Sequence, residues 1–372
     1  MARFSERPKD YYPQEQDLAR DLDRELSEAR RRPRKPTADE MLREMEARPR
    51  THAETFGIAP AVFEHQIPAP IRNLSEALHR YERQGQGRED IAEIFGKEYS
   101  REKLDSDRSE VLRIQRAIDR DDTFEDKKNA LYALTLEYIV SELANEWFPD
   151  CVIWKSNAYD DLKRQTDMFM DVPGPEGGVY TLAIDVTFSH DGAAKKLKAA
   201  DAEFDAGRFH DVEYFASDTD PERQRGRKFF PRVVVGASHE AIARMAYLYE
   251  RWFHNAAAAT GISKREALQR LHWHALAGEM YVSLLRQIDR AYDTMRRKLK
   301  QTPTEFTAAR ESLKEHGRYL DAVRRSLDAR YRAWQKDRAV FLAGVKDEKK
   351  KKDLERELEA PRNGVLEAIE AG

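Results

Sequence analysis

The sequence predicts a mixed protein of the α+β or α/β class, in which a small sheet is flanked by helical regions. Apolar residues alternate with a period of two between Gln165 and Phe188, which is the pattern of a β-hairpin. Apolar residues at helical spacing mark a helix before it, at Asn129–Trp147. A helical pattern also fills residues 263–345, apart from a break at Thr302 and Pro303. The sheet therefore falls in the middle of a largely helical chain.

Composition limits the classes of protein to which the chain can belong. Its 372 residues are enough for two or three domains, and 36% of them are charged. The net charge of −3 means that any surface for nucleic acid must be a local patch. The single cysteine, Cys151, excludes an intrachain disulfide and a cysteine-based zinc site. Because the chain lacks a membrane-length apolar run and a signal-peptide core, we expect a cytoplasmic protein without membrane contact.

Changes in pattern along the chain predict its division into segments. The N-terminal stretch is dense in charge and has no wide apolar stripe, which favours a mobile arm. The long C-terminal helical pattern favours a hairpin of two helices, a candidate surface for a homodimer or a protein partner. The predicted segments are a charged arm at 1–50, a helical region at 51–126, a core at 127–258, a helical hairpin at 259–347 and a charged tail at 348–372.

The hairpin between Gln165 and Phe188 carries acidic residues on both of its strands. One face of the second strand is apolar throughout, and it comprises Tyr180, Leu182, Ile184, Val186 and Phe188. Asp185 lies on the opposite face, although aspartate is a poor strand residue and is costly to bury without a partner. Asp167 and Asp171 share a face of the first strand, and a turn rich in proline and glycine joins the strands. Asp167 and Asp185 can therefore converge.

The pair of Asp167 and Asp185 has two interpretations. Like charges held close together need a cation or a proton, and oxygen ligands suit Mg²⁺ or Mn²⁺. Alternatively, Asp167 caps the start of its strand and Asp185 pairs with an arginine. Glu137 lies at the edge of the apolar stripe of the preceding helix, so it is the helical carboxylate expected to be partly buried.

Basic residues follow the hairpin. A helix is predicted from about Ala193 to Phe204, with Lys195 and Lys196 on its polar face, and a buried strand at Arg232–Gly236. The segment between them is predicted to be a loop that can bind the phosphates of nucleic acid through Arg223, Arg225, Arg227 and Lys228. The alternative for these residues is a solvated loop and a solvated helix face.

The order of elements over residues 129–236 is a helix, three strands, a helix and a strand. This order, with its acids, resembles the PD-(D/E)XK nuclease superfamily, whose restriction-endonuclease-like fold has an αβββαβ core. Glu137 lies in an E-x-x-V-x-x-L pattern that looks like the first-helix motif of the family. Asp167 matches the acid of the second strand, and Asp185 matches the acid of the third. The resemblance covers under a third of the chain.

One position departs from the family pattern. The family lysine belongs two residues after Asp185, where this chain has Thr187, whose hydroxyl carries no charge. Lys195, Lys196 and Lys155 are the candidates to supply a lysine from elsewhere. If none of them does, the site no longer cuts.

A second, literal match to the family letters also exists. Pro149-Asp150 is followed by Asp161-Leu162-Lys163. Because Tyr159–Arg164 has no strand pattern, these groups would lie on a loop, and we prefer the assignment to Asp167 and Asp185.

The resemblance implies a metal-dependent nuclease that hydrolyses phosphodiester bonds, in DNA in preference to RNA. Asp167, Asp185 and the backbone carbonyl of Val186 would bind Mg²⁺ or Mn²⁺, and Glu137 would orient a water or bind a second ion. A lysine would lower the pKa of the water or stabilise the transition state. The alternative is a catalytically degenerate nuclease-like fold that binds nucleic acid or serves as a scaffold or assembly protein.

Overall fold

The described part of the chain leaves out both ends and several short internal segments. The computed structural model describes residues 66–78, 81, 91–121, 123–188, 190–217, 225–253, 264–272 and 274–358. The predicted arm at 1–50 and the end of the predicted tail lie outside these residues.

Helices surround two small sheets in this part of the chain. Before the first strand come α1 (Ala69–Asn73), α2 (Ile91–Phe95), α3 (Arg101–Asp121) and α4 (Phe124–Trp147). The central elements are β1 (Val152–Lys155), β2 (Met168–Pro173), β3 (Val179–Thr187), α5 (His190–Asp205), β4 (His210–Phe215), β5 (Gly226–Phe230), β6 (Arg232–Gly236) and α6 (His239–Phe253). The C-terminal helices are α7 (Lys264–His272), α8 (Ala275–Gln301), α9 (Thr307–Ala343) and α10 (Glu348–Leu358). None of these described helices is both long enough and apolar enough to cross a membrane.

The larger sheet has the strand order β1–β2–β3–β6. Strands β1, β2 and β3 pair antiparallel, whereas β6 runs parallel to β3 because the connection through α5 crosses over. Met168 pairs with Ile184, which sets the register of the hairpin. The predicted hairpin is therefore confirmed. Its turn contains Gly177 at a φ of 84°, a conformation that favours glycine.

The two faces of the hairpin pack against different clusters, as the alternation predicts. The large core holds Met168, Met170, Leu182, Ile184 and Val186, together with residues of α4, α6, α8 and α9. Phe169 and Ala183 lie on the opposite face, in a smaller cluster with Trp154. Asp167 and Asp185 share the parity of Phe169 and Ala183, so they belong to this second face.

Helix α4 begins at Phe124, before the predicted start at Asn129. The reason is a reciprocal cap. The N–H of Thr123 donates to the Asp126 carboxylate at 2.9 Å, and the N–H of Asp126 donates to the Thr123 hydroxyl at 3.2 Å. The helix ends at Trp147 as predicted, and the indole N–H of Trp147 donates to the carbonyl of Leu271 at 3.0 Å. This bond ties α4 to α7.

Part of the arginine-rich segment is a strand, so its prediction as a loop was wrong. Residues Gly226–Phe230 form β5, which pairs antiparallel with β4. Phe215 and Phe230 pack against Phe169, so this small sheet covers the second face of the larger one. Only the two ends of β5 are buried, and the charged residues Arg227 and Lys228 between them conceal the strand pattern.

The first helix of the hairpin predicted at 259–347 is broken in two. Helix α7 ends at His272, and α8 starts after His274, whose Nδ1 accepts the N–H of Leu276 at 3.2 Å. The apolar spacing of the sequence continues through the break. This spacing therefore does not show that a buried histidine caps a new helix. The predicted break at Thr302 and Pro303 is confirmed, and α9 then begins at Thr307.

Side chains of helices α8 and α9 form hydrogen bonds with backbone N–H and C=O groups at the open edge of the larger sheet. The side-chain amide of Gln287, on α8, accepts the N–H of Val234 at 2.7 Å and donates to its carbonyl at 2.8 Å. The hydroxyl of Tyr319, on α9, accepts the N–H of Thr181 at 2.6 Å and donates to its carbonyl at 2.7 Å. The helices therefore take the place of a further strand and protect the edge from pairing with other chains.

Replacing Gln287 by leucine is expected to lower the free energy of unfolding by about 2–3 kcal/mol. The substitution leaves the buried N–H of Val234 without its acceptor, and it leaves the Val234 carbonyl with only the long bond from the Ser283 hydroxyl at 3.5 Å. Urea denaturation measures this change. Gln301→Leu, an exposed substitution at the end of the same helix, is the matched control and should change stability by less than about 0.5 kcal/mol. Equal stability of the two variants would contradict the role of Gln287.

Candidate acidic site

The adjoining ends of β2 and β3 bring Asp167 next to Asp185. Because Met168 pairs with Ile184, the next step of the ladder places Asp167 opposite Asp185. The N–H of Asp167 donates to the carbonyl of Ile184 at 2.9 Å, and the Asp167 carboxylate accepts the N–H of Val186. The two acids therefore lie on adjacent strands at one end of the sheet.

Glu137 reaches the same end of the sheet from α4. It is buried, as predicted, and its carboxylate pairs with the ammonium of Lys155 at 3.0 Å. The ammonium also lies 5.2 Å from the centroid of the Tyr81 ring. Burial alone would lower the pKa of Lys155, but the charges of Glu137 and Asp161 outweigh it and raise that pKa. Lys155 therefore remains charged beside Glu137.

Asp161 is a further acid at this site. It lies in a π-helical turn at Asp160–Arg164, and its side chain is within hydrogen-bonding reach of Asp167. As predicted, this segment does not form a strand. Its turn nevertheless directs a carboxylate towards the ends of the strands. Lys163 of the literal motif pairs instead with Glu110 at 2.8 Å. The literal D-x-K pattern was the sequence signal that could have identified Asp161. The lysine of that pattern, Lys163, takes part in a different contact.

Two cations hold the carboxylate of Asp185. The ammonium of Lys196, on α5, donates to Oδ1 of Asp185 and to the backbone carbonyl of Val186. The guanidinium of Arg232, the first residue of β6, donates to Oδ2 of Asp185. The arginine pair that the sequence left open as an alternative is therefore present.

The structure separates the lysine candidates. Lys196 contacts the acid of the third strand, and Lys155 contacts Glu137. Lys195 is exposed to solvent, and Thr187 is buried at the end of β3. A lysine that contacts the third-strand acid therefore comes from the following helix, at Lys196, and the position of Thr187 stays uncharged.

The site holds more acids than cations. Its acids are Glu137, Asp161, Asp167 and Asp185, and its cations are Lys155, Lys196 and Arg232. Burial raises the pKa of Asp161 and of Asp167, and each is raised further by a neighbouring carboxylate. Burial also raises the pKa of Asp185, and Asp167 adds to the shift. A cluster of this kind takes up a proton or a cation.

The donor chemistry of this cluster suits Mg²⁺ or Mn²⁺, because the donors are carboxylate and carbonyl oxygens. The positions of these donors suit a metal ion less well than their chemistry does. Among the described residues, no three side chains of His, Cys, Asp or Glu stand together as a metal cage. At Asp185 the reason is visible, since Lys196 and Arg232 already engage its two oxygens.

The predicted residues for binding nucleic acid have different surroundings. Arg223 lies outside the described residues. Both guanidinium bonds of Arg227 go to Asp211 at 2.7 Å, and Arg225 donates to the carbonyl of Ile94 at 3.4 Å. Lys228 lies half-buried in the middle of β5. The charge of Arg227 is thus balanced within the chain, which weakens it as a ligand for phosphate.

No family model, no curated protein and no solved structure matches this chain. Its function is therefore inferred from the chemistry of the acidic site.

Replacing Asp161 by asparagine is expected to stabilise the protein at about pH 7.5 by roughly 0.5–2 kcal/mol. The pKa of Asp161 is higher in the folded chain than in the unfolded chain, because burial and the charge of Asp167 raise it. The folded state then binds more protons between the two values, so stability falls as pH rises through that range. The gain from the substitution should shrink towards pH ~4, near the ordinary aspartate pKa.

Thermal unfolding across this pH range measures the effect. Asp337→Asn, an exposed aspartate on α9, is the matched control and should show no such trend. A destabilised Asp161→Asn variant at neutral pH would contradict the assignment of Asp161 to a crowded acidic cluster.

Proposed function

We propose that the chain is a metal-dependent nuclease that hydrolyses phosphodiester bonds, with DNA as the preferred substrate. The observation that carries this proposal is the convergence of Glu137, Asp167 and Asp185 at one end of a sheet, with Lys196 in contact with Asp185. Acids from three separate elements, with a lysine beside them, suit the activation of water next to a phosphate.

The order of the elements supports the same proposal. Helix α4 is followed by the antiparallel strands β1, β2 and β3, by α5 and by β6, which pairs parallel to β3. This order resembles the αβββαβ arrangement of a restriction-endonuclease-like core, in which strands β4 and β5 would be an insertion after α5. The acids lie on the helix, at the start of the second strand and near the end of the third.

Each residue of the site has a proposed part in the reaction. A bound Mg²⁺ or Mn²⁺ would supply an activated water and neutralise charge on the phosphate. Asp167, Asp185 and the carbonyl of Val186 are the groups that would hold it, and Asp161 adds a further oxygen donor beside Asp167. Glu137, fixed by Lys155, would orient a water. The ammonium of Lys196 would stabilise negative charge on the phosphate oxygens.

A second function is favoured by the surroundings of Asp185. Arg232 and Lys196 neutralise this carboxylate without any added ion, and position 187 lacks the family lysine. In this alternative the core no longer cuts, and it binds nucleic acid or serves as a scaffold or assembly protein.

Cleavage assays on DNA and RNA with added Mg²⁺ or Mn²⁺ test the proposal. The wild-type protein should cleave DNA, and Asp167→Asn and Asp185→Asn should each reduce the rate by roughly 10²- to 10³-fold or more. Asp337→Asn, on α9, is the control for a lost surface carboxylate. Cleavage that survives both site substitutions would refute the site, and DNA binding without cleavage by the wild type would favour the second function.

A further inference from the structure

We propose that Lys196 is an internal cation that occupies the metal position and must withdraw before a divalent ion can bind. This inference rests on the proposed function, because it concerns control of the same site. The ammonium of Lys196 and the divalent ion then compete for the same oxygens. At low metal concentration the site therefore holds the ammonium and no divalent ion.

The oxygens of Asp185 show the competition directly. Arg232 engages Oδ2, and Lys196 engages Oδ1. The Arg232 side chain is only 4% exposed, and a buried guanidinium paired to a buried carboxylate does not leave readily. Oδ1 is therefore the oxygen that Asp185 can offer to an ion, and it is the one that Lys196 takes.

A second donor is taken by the same ammonium. Lys196 also binds the backbone carbonyl of Val186, whose N–H is in turn bound by Asp167. The ammonium thus occupies two of the oxygen donors, on Asp185 and Val186, that would otherwise be available to a metal ion.

The side chain of Lys196 is able to leave. It is 30% exposed, in contrast to Arg232, and it carries a flexible four-carbon stem. Withdrawal frees Oδ1 and the carbonyl together, and the departing ammonium stays near enough to meet a phosphate. Lys196 can therefore occupy the site when no metal is bound, and it can assist the reaction when metal is bound.

Titration with Mn²⁺, followed by calorimetry and by the electron paramagnetic resonance of free Mn²⁺, tests the inference. Lys196→Met keeps most of the aliphatic stem and removes the charge. It is expected to bind Mn²⁺ roughly tenfold or more tightly than the wild type, because a repelling charge has left the site. Without metal, the variant should melt at a lower temperature than the wild type, and saturating Mn²⁺ should raise its melting temperature by more.

Lys198→Met, which removes an exposed lysine from the same helix, is the matched control and should bind Mn²⁺ like the wild type. Circular dichroism establishes that each variant is folded. Mn²⁺ affinity of Lys196→Met equal to or weaker than that of the control would overturn the competition, even if the wild type binds Mn²⁺ and cleaves DNA. Failure of the wild type to cleave DNA even at saturating Mn²⁺ would instead refute the proposed function, whatever Lys196→Met binds.

Discussion

Replacing Arg232 by methionine is expected to lower the free energy of unfolding by about 3–5 kcal/mol. The side chains of Arg232 and Asp185 are 4% and 1% exposed, and they form a direct ion pair. Arg232 also donates to the side-chain oxygen of Gln165 at 2.9 Å. Removing the guanidinium leaves a buried carboxylate without one of its two cations, and denaturant unfolding at neutral pH measures the loss.

Two controls isolate the cause of this loss. Arg227→Met breaks an ion pair with Asp211 at an arginine that is 55% exposed, so it should cost less than about 1 kcal/mol. The double variant Arg232→Met and Asp185→Leu should recover much of the stability, because the buried guanidinium and its buried carboxylate are removed together, and the Lys196 side chain is 30% exposed. A double variant as unstable as the single variant would mean that packing, and not charge, explains the effect.

Asp160→Ala is expected to cost about 3–4 kcal/mol. The carboxylate of Asp160 is fully buried and accepts the N–H groups of Glu213 and Tyr214 at 2.8 and 2.9 Å, and the amide of Asn157 at 2.7 Å. Alanine would leave the two backbone N–H groups buried without their acceptor, whereas the Asn157 amide would keep its bond to the carbonyl of Tyr214 at 3.0 Å. The substitution would also loosen the turn that carries Asp161 to the acidic site.

Thermal and denaturant unfolding measure this second loss. Asp160→Asn, which keeps one acceptor oxygen, should lose about half as much stability. If Asp160→Ala unfolded like the wild type, the bonds from β4 to the turn would not be the contacts that hold it.

The sequence reveals the hairpin and its acids because both follow from local patterns. Alternation over Tyr180–Phe188 assigns the buried face, and parity then places Asp185 on the other face with Asp167. The apolar stripe around Glu137 likewise predicts its burial. These inferences need only the periods of a strand and a helix.

Other features depend on contacts between distant segments. Asp161 joins the site through a turn fixed by β4, and β4 was not predicted because its partner β5 lies within the arginine-rich segment, which shows no strand pattern. Lys196 and Lys195 are neighbours on one polar helix face in the sequence, and only the direction of α5 relative to β3 shows which of them meets Asp185. The cap at His274 is a local contact, but the apolar spacing of the helix does not reveal it.

A crystal structure of the protein grown with Mn²⁺, with an anomalous difference map, would show whether a divalent ion binds where the ammonium of Lys196 lies without metal. We expect a single strong peak at about 2.1–2.2 Å from oxygens of Asp167, Oδ1 of Asp185 and the carbonyl of Val186, with Lys196 moved away from them. A map without a peak at this place at saturating Mn²⁺, and with Lys196 still bonded to Asp185 and Val186, would contradict the account.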